Sequence, residues 1–113
     1  MRDLPKLTRK LVLQTPVKST DGGGGYVIDW QDQATLWAQI DANDGRAASG
    51  ETSPVMRQSL LITVRAAPWG HIARPKPGQR FVEGERVYAI TGVTEDSPTP
   101  LYLRCAAFQE VTL

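Results

Sequence analysis

Ser59-Leu60-Leu61-Ile62-Thr63-Val64-Arg65 is the stretch on which the fold turns. Leu60, Ile62 and Val64 fall on alternate positions with Thr63 and Arg65 between and after them, and alternate side chains of an extended chain point to opposite faces. The period of two predicts a strand with one face in a core. Downstream, Pro68, Pro75 and Pro77 exclude regular structure from residues 67–78. Residues 79–82 and 86–93 then flank Glu83-Gly84-Glu85, a tight hairpin signal, and residues 94–100 make another turn before Leu101-Tyr102-Leu103-Arg104-Cys105-Ala106-Ala107-Phe108.

Upstream, residues 43–54 form a long polar excursion with at most one helical turn, around Arg46 to Ser49. Before it, residues 34–41 alternate, with Leu36, Ala38 and Ile40 on one face. Tyr26-Val27-Ile28-Asp29-Trp30 predicts a second short strand, and Ser19 to Gly25, with four consecutive glycines, a mobile hairpin tip between it and the opening strand Lys10 to Thr15, which Pro16 ends. The expectation is an all-β fold of five to seven short strands: a small antiparallel barrel with long loops and extensions, forming one domain over residues 1–113. Its expected core comprises Leu36, Ile40, Leu60, Ile62, Val64, Val87, Ala89, Leu103 and Cys105.

Composition sets bounds on what this domain does. At 113 residues, with 13 basic and 12 acidic side chains, the chain has room for one core and a net charge of +1. Its hydrophobic fraction of 41% fits a folded domain, and its apolar runs are too short to span a bilayer as a helix. Met1-Arg2-Asp3-Leu4-Pro5-Lys6 is followed by no apolar segment of the kind that directs secretion, so a cytoplasmic setting is expected. The one cysteine, Cys105, can close no intramolecular disulfide and reads as an inert apolar residue. The lone histidine, His71, lies in the proline-rich loop without a nucleophile motif around it, which points away from an enzyme. Asp41 to Gly45 lacks the fifth-position oxygen ligand of a calcium loop, and Thr52 stands where such a loop needs glutamate. The four glycines precede no Lys-Ser or Lys-Thr and make no phosphate cradle. No cofactor or metal is expected.

Charge is unevenly placed. Residues 46–80 carry six basic groups and only Glu51, whereas residues 81–113 carry two basic and five acidic groups. Arg65, Trp69, His71, Arg74, Lys76 and Arg80 interleave cations with an indole, as single-strand nucleic-acid binders do. A net charge of +1 favours a protein-docking surface instead, with Trp69 the apolar anchor and Arg74, Lys76 and Arg80 its polar rim. The competing reading makes Trp69 a lid on its own barrel. Trp30 and Trp37 read as partly buried core or as further anchors.

The order of features carries a resemblance. An opening strand Leu11 to Thr15 before Pro16, a glycine-rich hairpin ending in Trp30, Thr35-Leu36-Trp37-Ala38-Gln39-Ile40, a loop with Gly45-Arg46, the Leu60-Ile62-Val64-Arg65 strand, Arg86-Val87-Tyr88-Ala89-Ile90-Thr91-Gly92-Val93 and Leu101 to Cys105 follow one another. This pattern resembles the head-tail adaptor proteins of tailed bacteriophages, the head-closure or stopper components that also occur in gene transfer agents. The resemblance implies a small barrel that assembles as a cyclic homo-oligomer, a hexamer or dodecamer. It implies a place in the virion between a portal or adaptor protein and a tail terminator or tail tube protein, assembly in the bacterial cytoplasm, and packaged DNA in the channel as a non-specific neighbour. It also marks Gly45 and Arg46 as candidate interface residues. A small nucleic-acid-binding barrel and a tail terminator or completion protein are the alternatives.

Overall fold

In the computed structural model, which describes residues 4–43, 55–97 and 100–112, six antiparallel strands close into a barrel. They are β1 (Arg9–Thr20), β2 (Tyr26–Ala42), β3 (Val55–Arg65), β4 (Arg80–Glu83), β5 (Arg86–Glu95) and β6 (Tyr102–Thr112), in the cyclic order β1-β2-β3-β6-β5-β4. The all-β expectation is met, and the strands are longer than expected. Residues 26–30 and 34–41 belong to one strand of 17 residues that passes a bulge at Gln33, where the register with β1 skips from Leu13↔Ala34 to Gln14↔Asp32. A bulge takes up one residue without ending the strand, which is why the polar Gln31-Asp32-Gln33 segment reads as a break in the sequence. Pro16 likewise lies inside β1 instead of ending it. Beyond Gln14, β1 pairs only with β2, and a proline is tolerated on a strand paired on one side.

Leu11, Leu13, Ala38, Ile62, Val64, Phe81, Leu103 and Cys105 are wholly buried, and Leu60, Tyr88, Ile90 and Ala107 nearly so; Leu36 and Ile40 pack against them at the edge. Val87 and Ala89 are corrections: Val87 is exposed and Ala89 half-buried, and their neighbours Tyr88 and Ile90 fill the core. Val87-Tyr88-Ala89-Ile90 is apolar throughout, so alternation does not fix its phase, and a one-residue slip exchanges the faces. Tyr88 can lie inside because its hydroxyl donates to Glu83 at 2.9 Å. Burial pushes the Cys105 thiol up to about 12, consistent with an inert core residue.

The barrel closes across a narrow seam. Strands β1 and β4 share three register pairs, Val12↔Val82, Leu13↔Phe81 and Gln14↔Arg80. Side chains fasten both ends of it: Arg9 donates two hydrogen bonds to Glu83, and the Arg80 Nε donates to the Gln14 Oε1 at 2.8 Å. The Arg9 guanidinium, followed by the Tyr88 hydroxyl, holds the Glu83 carboxyl below the usual carboxylate range against the opposing effect of burial. The two-residue turn Gly84-Glu85 joins β4 to β5, and a positive φ of 61° at Gly84 suits the first central position of a type II′ turn.

Candidate assembly surfaces

Of the features that leave the barrel, two bear on the expected interface residues. The first is an arm made by the distal halves of β1 and β2, in which Thr15↔Gln31 through Thr20↔Tyr26 are paired with each other and with no other strand. Its tip, expected to be mobile, is a tied turn: the Asp21 N–H donates to the Gly25 carbonyl at 3.1 Å, and the Gly23 and Gly25 amides donate to the Asp21 carboxylate at 2.7 and 3.0 Å. These amides hold the Asp21 carboxyl below its ordinary value. One face of the arm carries Pro16, Lys18, Tyr26, Ile28 and Trp30, with the Lys18 ammonium 4.5 Å from the Tyr26 ring centre. Tyr26, Val27 and Ile28 are all exposed.

The second feature is the loop of residues 66–79. Its backbone is fixed by turns, with His71 N–H donating to Pro68, Arg74 N–H to His71 and Gln79 N–H to Lys76, and it is anchored on β5 through Gly78 N–H to the Ile90 carbonyl and Ile90 N–H to the Gln79 carbonyl. Pro75 and the Gln79 side chain are buried beneath it. Trp69 projects outward with 79% of its surface exposed and Ile72 with 60%, so Trp69 is not a lid on its own barrel. His71 lies exposed at the turn, its Nδ1 accepting from the Ala73 amide at 3.0 Å, and Lys76 is exposed.

Two of the expected rim arginines have different roles. Arg74 is only 5% exposed; it donates to the Ala67 carbonyl at 3.0 Å and to Glu95 at 3.3 Å, and its guanidinium stacks 3.7 Å from the Trp69 ring centre. It is therefore the post that holds the indole out, because an unpaired guanidinium is too costly to bury and this one is satisfied by the loop it supports. Arg80 lies half-buried, 4.0 Å from the Trp30 ring centre, and binds Gln14, whose amide donates to Asp32 at 2.8 Å. Desolvation lowers its pKa. Arg80 thus clamps the base of the arm to the seam. The sequence shows the cations and the indoles, but the side on which each arginine lies depends on long-range pairing, of β3 with β6 and β6 with β5 for Arg74 and of β1 with β2 and β4 for Arg80, which local patterning does not reveal. Gly45 and Arg46 lie outside the described residues, as does most of the 43–54 excursion. Trp37, considered as core, is exposed on the outer face of β2, while Trp30 is partly buried under Arg80.

Among the described residues, no cluster of three or more histidine, cysteine, aspartate or glutamate side chains could hold a metal, and no buried side-chain polar atom lacks a partner. Arg80 holds the arm and Arg74 the loop, and both elements present aromatic and aliphatic side chains to solvent beside exposed polar ones such as Lys18, Asp29, His71 and Lys76. In fold the chain belongs to the class of small closed β-barrels, here with a two-stranded arm and a loop that carries an exposed indole.

The comparisons place it within that class. The model of the phage head completion protein family matches residues 2–111, and the chain belongs to that family. A chain from the virion of a native gene transfer agent particle is 41% identical to it, with a TM-score of 0.82, covering 97% of this chain and 100% of that one. A protein of Shigella flexneri 2a, determined in solution, shares the fold at 18% identity and a TM-score of 0.65, with 96% of each chain covered. Among curated proteins none is significantly similar. The chain is accordingly a structural protein of a phage-like particle, with a part in joining head to tail.

Proposed function

We propose that the protein is the connector that closes a filled head and receives the tail, working as a ring of identical subunits. On one side it meets the portal or adaptor protein, and on the other a tail terminator or tail tube protein. The observation that carries this reading is the 41% identity, over nearly the whole of both chains, with a chain of a gene transfer agent virion. The physical case agrees. Each subunit of a cyclic ring must present two different complementary surfaces, and the arm and the indole-tipped loop are two candidates on this chain. Both are fixed before any contact forms, by Arg80 and by Arg74, which lowers the ordering cost of binding. In this reading Trp69 is the anchor, His71 and Lys76 border it, and Gly45 and Arg46 contact a neighbour.

The nucleic-acid reading loses support because Arg74 and Arg80, two of the five cationic candidates, are engaged within the protein. The test removes the gene from the cell that makes the particle. Filled heads and free tails should accumulate separately, and joined particles at the normal level would refute the connector role. Duplex DNA binding that is tight at low salt and falls by orders of magnitude at moderate salt would instead favour the nucleic-acid reading.

A further inference from the structure

Resting on the connector reading, we propose that the outer edge of the arm's second strand, residues 26–31 of β2, takes up an extended segment of another particle protein as a further strand. The arm's own pairing shows which backbone groups are free. The Asp21 N–H donates to the Gly25 carbonyl, so in this ladder Ser19 and Val27, Val17 and Asp29, and Thr15 and Gln31 turn their backbone groups toward each other. The alternate residues, Tyr26, Ile28 and Trp30 on β2 and Pro16, Lys18 and Thr20 on β1, turn theirs outward. Pro16, which has no N–H to give, stands at one of these outward positions. Among the described residues no strand lies beyond either edge here, since β3 pairs with β2 only from Ala38 on and β4 with β1 only up to Gln14.

The two edges are not alike. Along β1 the outward positions hold Pro16 and Lys18, and proline and lysine are residues that keep edge strands from pairing. Along β2 they hold Tyr26, Ile28 and Trp30, and residues 26–31 contain neither proline nor lysine. This edge offers three N–H and three C=O groups over about 17 Å, and Arg80, stacked on Trp30 and bonded to Gln14, fixes its base before a partner arrives. A row of alternating donors and acceptors at that spacing is matched by an extended backbone. Tyr26 and Ile28 are exposed on one face, which fits apolar side chains at alternate positions of the added strand. On the other face Val27 and Asp29 are exposed, and Asp29, in no ion pair among the described residues, fits a Lys or Arg. A second copy does not supply this strand. Two β2 edges paired with each other make an isologous contact that ends at a dimer and brings Asp29 from both chains onto one small sheet. In the free end of the β3/β6 ribbon Arg57 already serves Glu110, which leaves no cation for Asp29.

Two substitutions at Ile28 separate the edge amide from the side chain. Ile28→Ala keeps the outward N–H, and Ile28→Pro removes it without breaking a bond to β1, so both proteins should melt close to the parent. Added to heads and tails made without this protein, Ile28→Pro should join them at least about tenfold less well than Ile28→Ala. Equal joining by the two overturns strand addition and leaves the connector reading standing, whereas heads and tails that join with no protein added overturn that reading. Should Ile28→Pro melt well below the parent, amide exchange on the parent protein decides. The N–H groups of Tyr26, Ile28 and Trp30 should exchange at least about tenfold more slowly in joined particles than in the free protein, with those of Lys18 and Thr20 little changed. Equal exchange in both states overturns the added strand. A free protein that sediments as a dimer with these three amides already slowed gives the edge to a second copy and overturns the partner proposed.

Discussion

Replacing Arg74 with alanine separates a post inside the loop from an arginine on its rim. The guanidinium is almost entirely buried, makes charge-assisted hydrogen bonds to the Ala67 carbonyl and to Glu95, and supports the Trp69 ring at 3.7 Å. Hydrogen bonds to charged groups contribute about 1.5–3 kcal/mol each, and a stack on an exposed ring about 0.5–1 kcal/mol. Glu95 is about one-third exposed and is rehydrated when its partner goes, so the sum falls toward the lower end, about 2–4 kcal/mol. For a domain of this size that corresponds to a fall in melting temperature of roughly 8–16 °C. Trp69→Ala removes only the stack and should cost about 1 kcal/mol or less. Thermal unfolding followed by circular dichroism measures both, and a Trp69/Arg74 double-mutant cycle isolates the stack. An Arg74→Ala protein melting within about 2 °C of the parent would refute the post and return Arg74 to the solvent rim.

Ile62→Ala, at a wholly buried site, should destabilise the barrel by about 2–5 kcal/mol in denaturant titration; a loss of a few tenths would place Ile62 outside the core. Glu83 is held below its ordinary pKa in the folded state, so its contribution is complete above the unfolded carboxylate value of about 4.3 and is lost as pH falls through the depressed value. Glu83→Gln should therefore be less stable than the parent at neutral pH, the gap narrowing in acid; a gap that is constant with pH contradicts the Arg9–Glu83 account of the seam. Arg80→Ala releases Trp30 and Gln14, and amide exchange should rise at least about tenfold in residues 15–20 and 26–31 with β3 unchanged. Equal protection in both proteins would show that the arm does not depend on the clamp.

The barrel was legible wherever one face of a strand is apolar and the other polar. Leu60, Ile62 and Val64 alternate cleanly with Thr63 and Arg65, and they lie in the core. Where both faces are apolar, as in Val87-Tyr88-Ala89-Ile90, the pattern carries the strand but not its phase, which the Tyr88–Glu83 hydrogen bond and the core volume decide. Pro16 and Gln33 read as strand breaks because a proline in a one-sided ladder and a bulge look the same in sequence as a turn. The exposure of Trp69 was one of two readings, since Pro68, Pro75 and Pro77 exclude regular structure without deciding whether the indole faces solvent or its own barrel. The duties of Arg74 and Arg80 were not legible, since Glu95 lies 21 residues from Arg74 and is brought to it by the pairing of β3, β6 and β5, and Gln14 lies 66 residues from Arg80 and meets it only when the barrel closes at the β1/β4 seam.

Joining can be measured directly with heads and tails purified from particles that lack this protein. Adding the parent protein should restore joined particles. Trp69→Ala, whose fold is nearly as stable, should leave heads and tails apart at the same concentration. Heads and tails that join fully without the protein, or equally well with Trp69→Ala, would contradict a connector anchored through this loop.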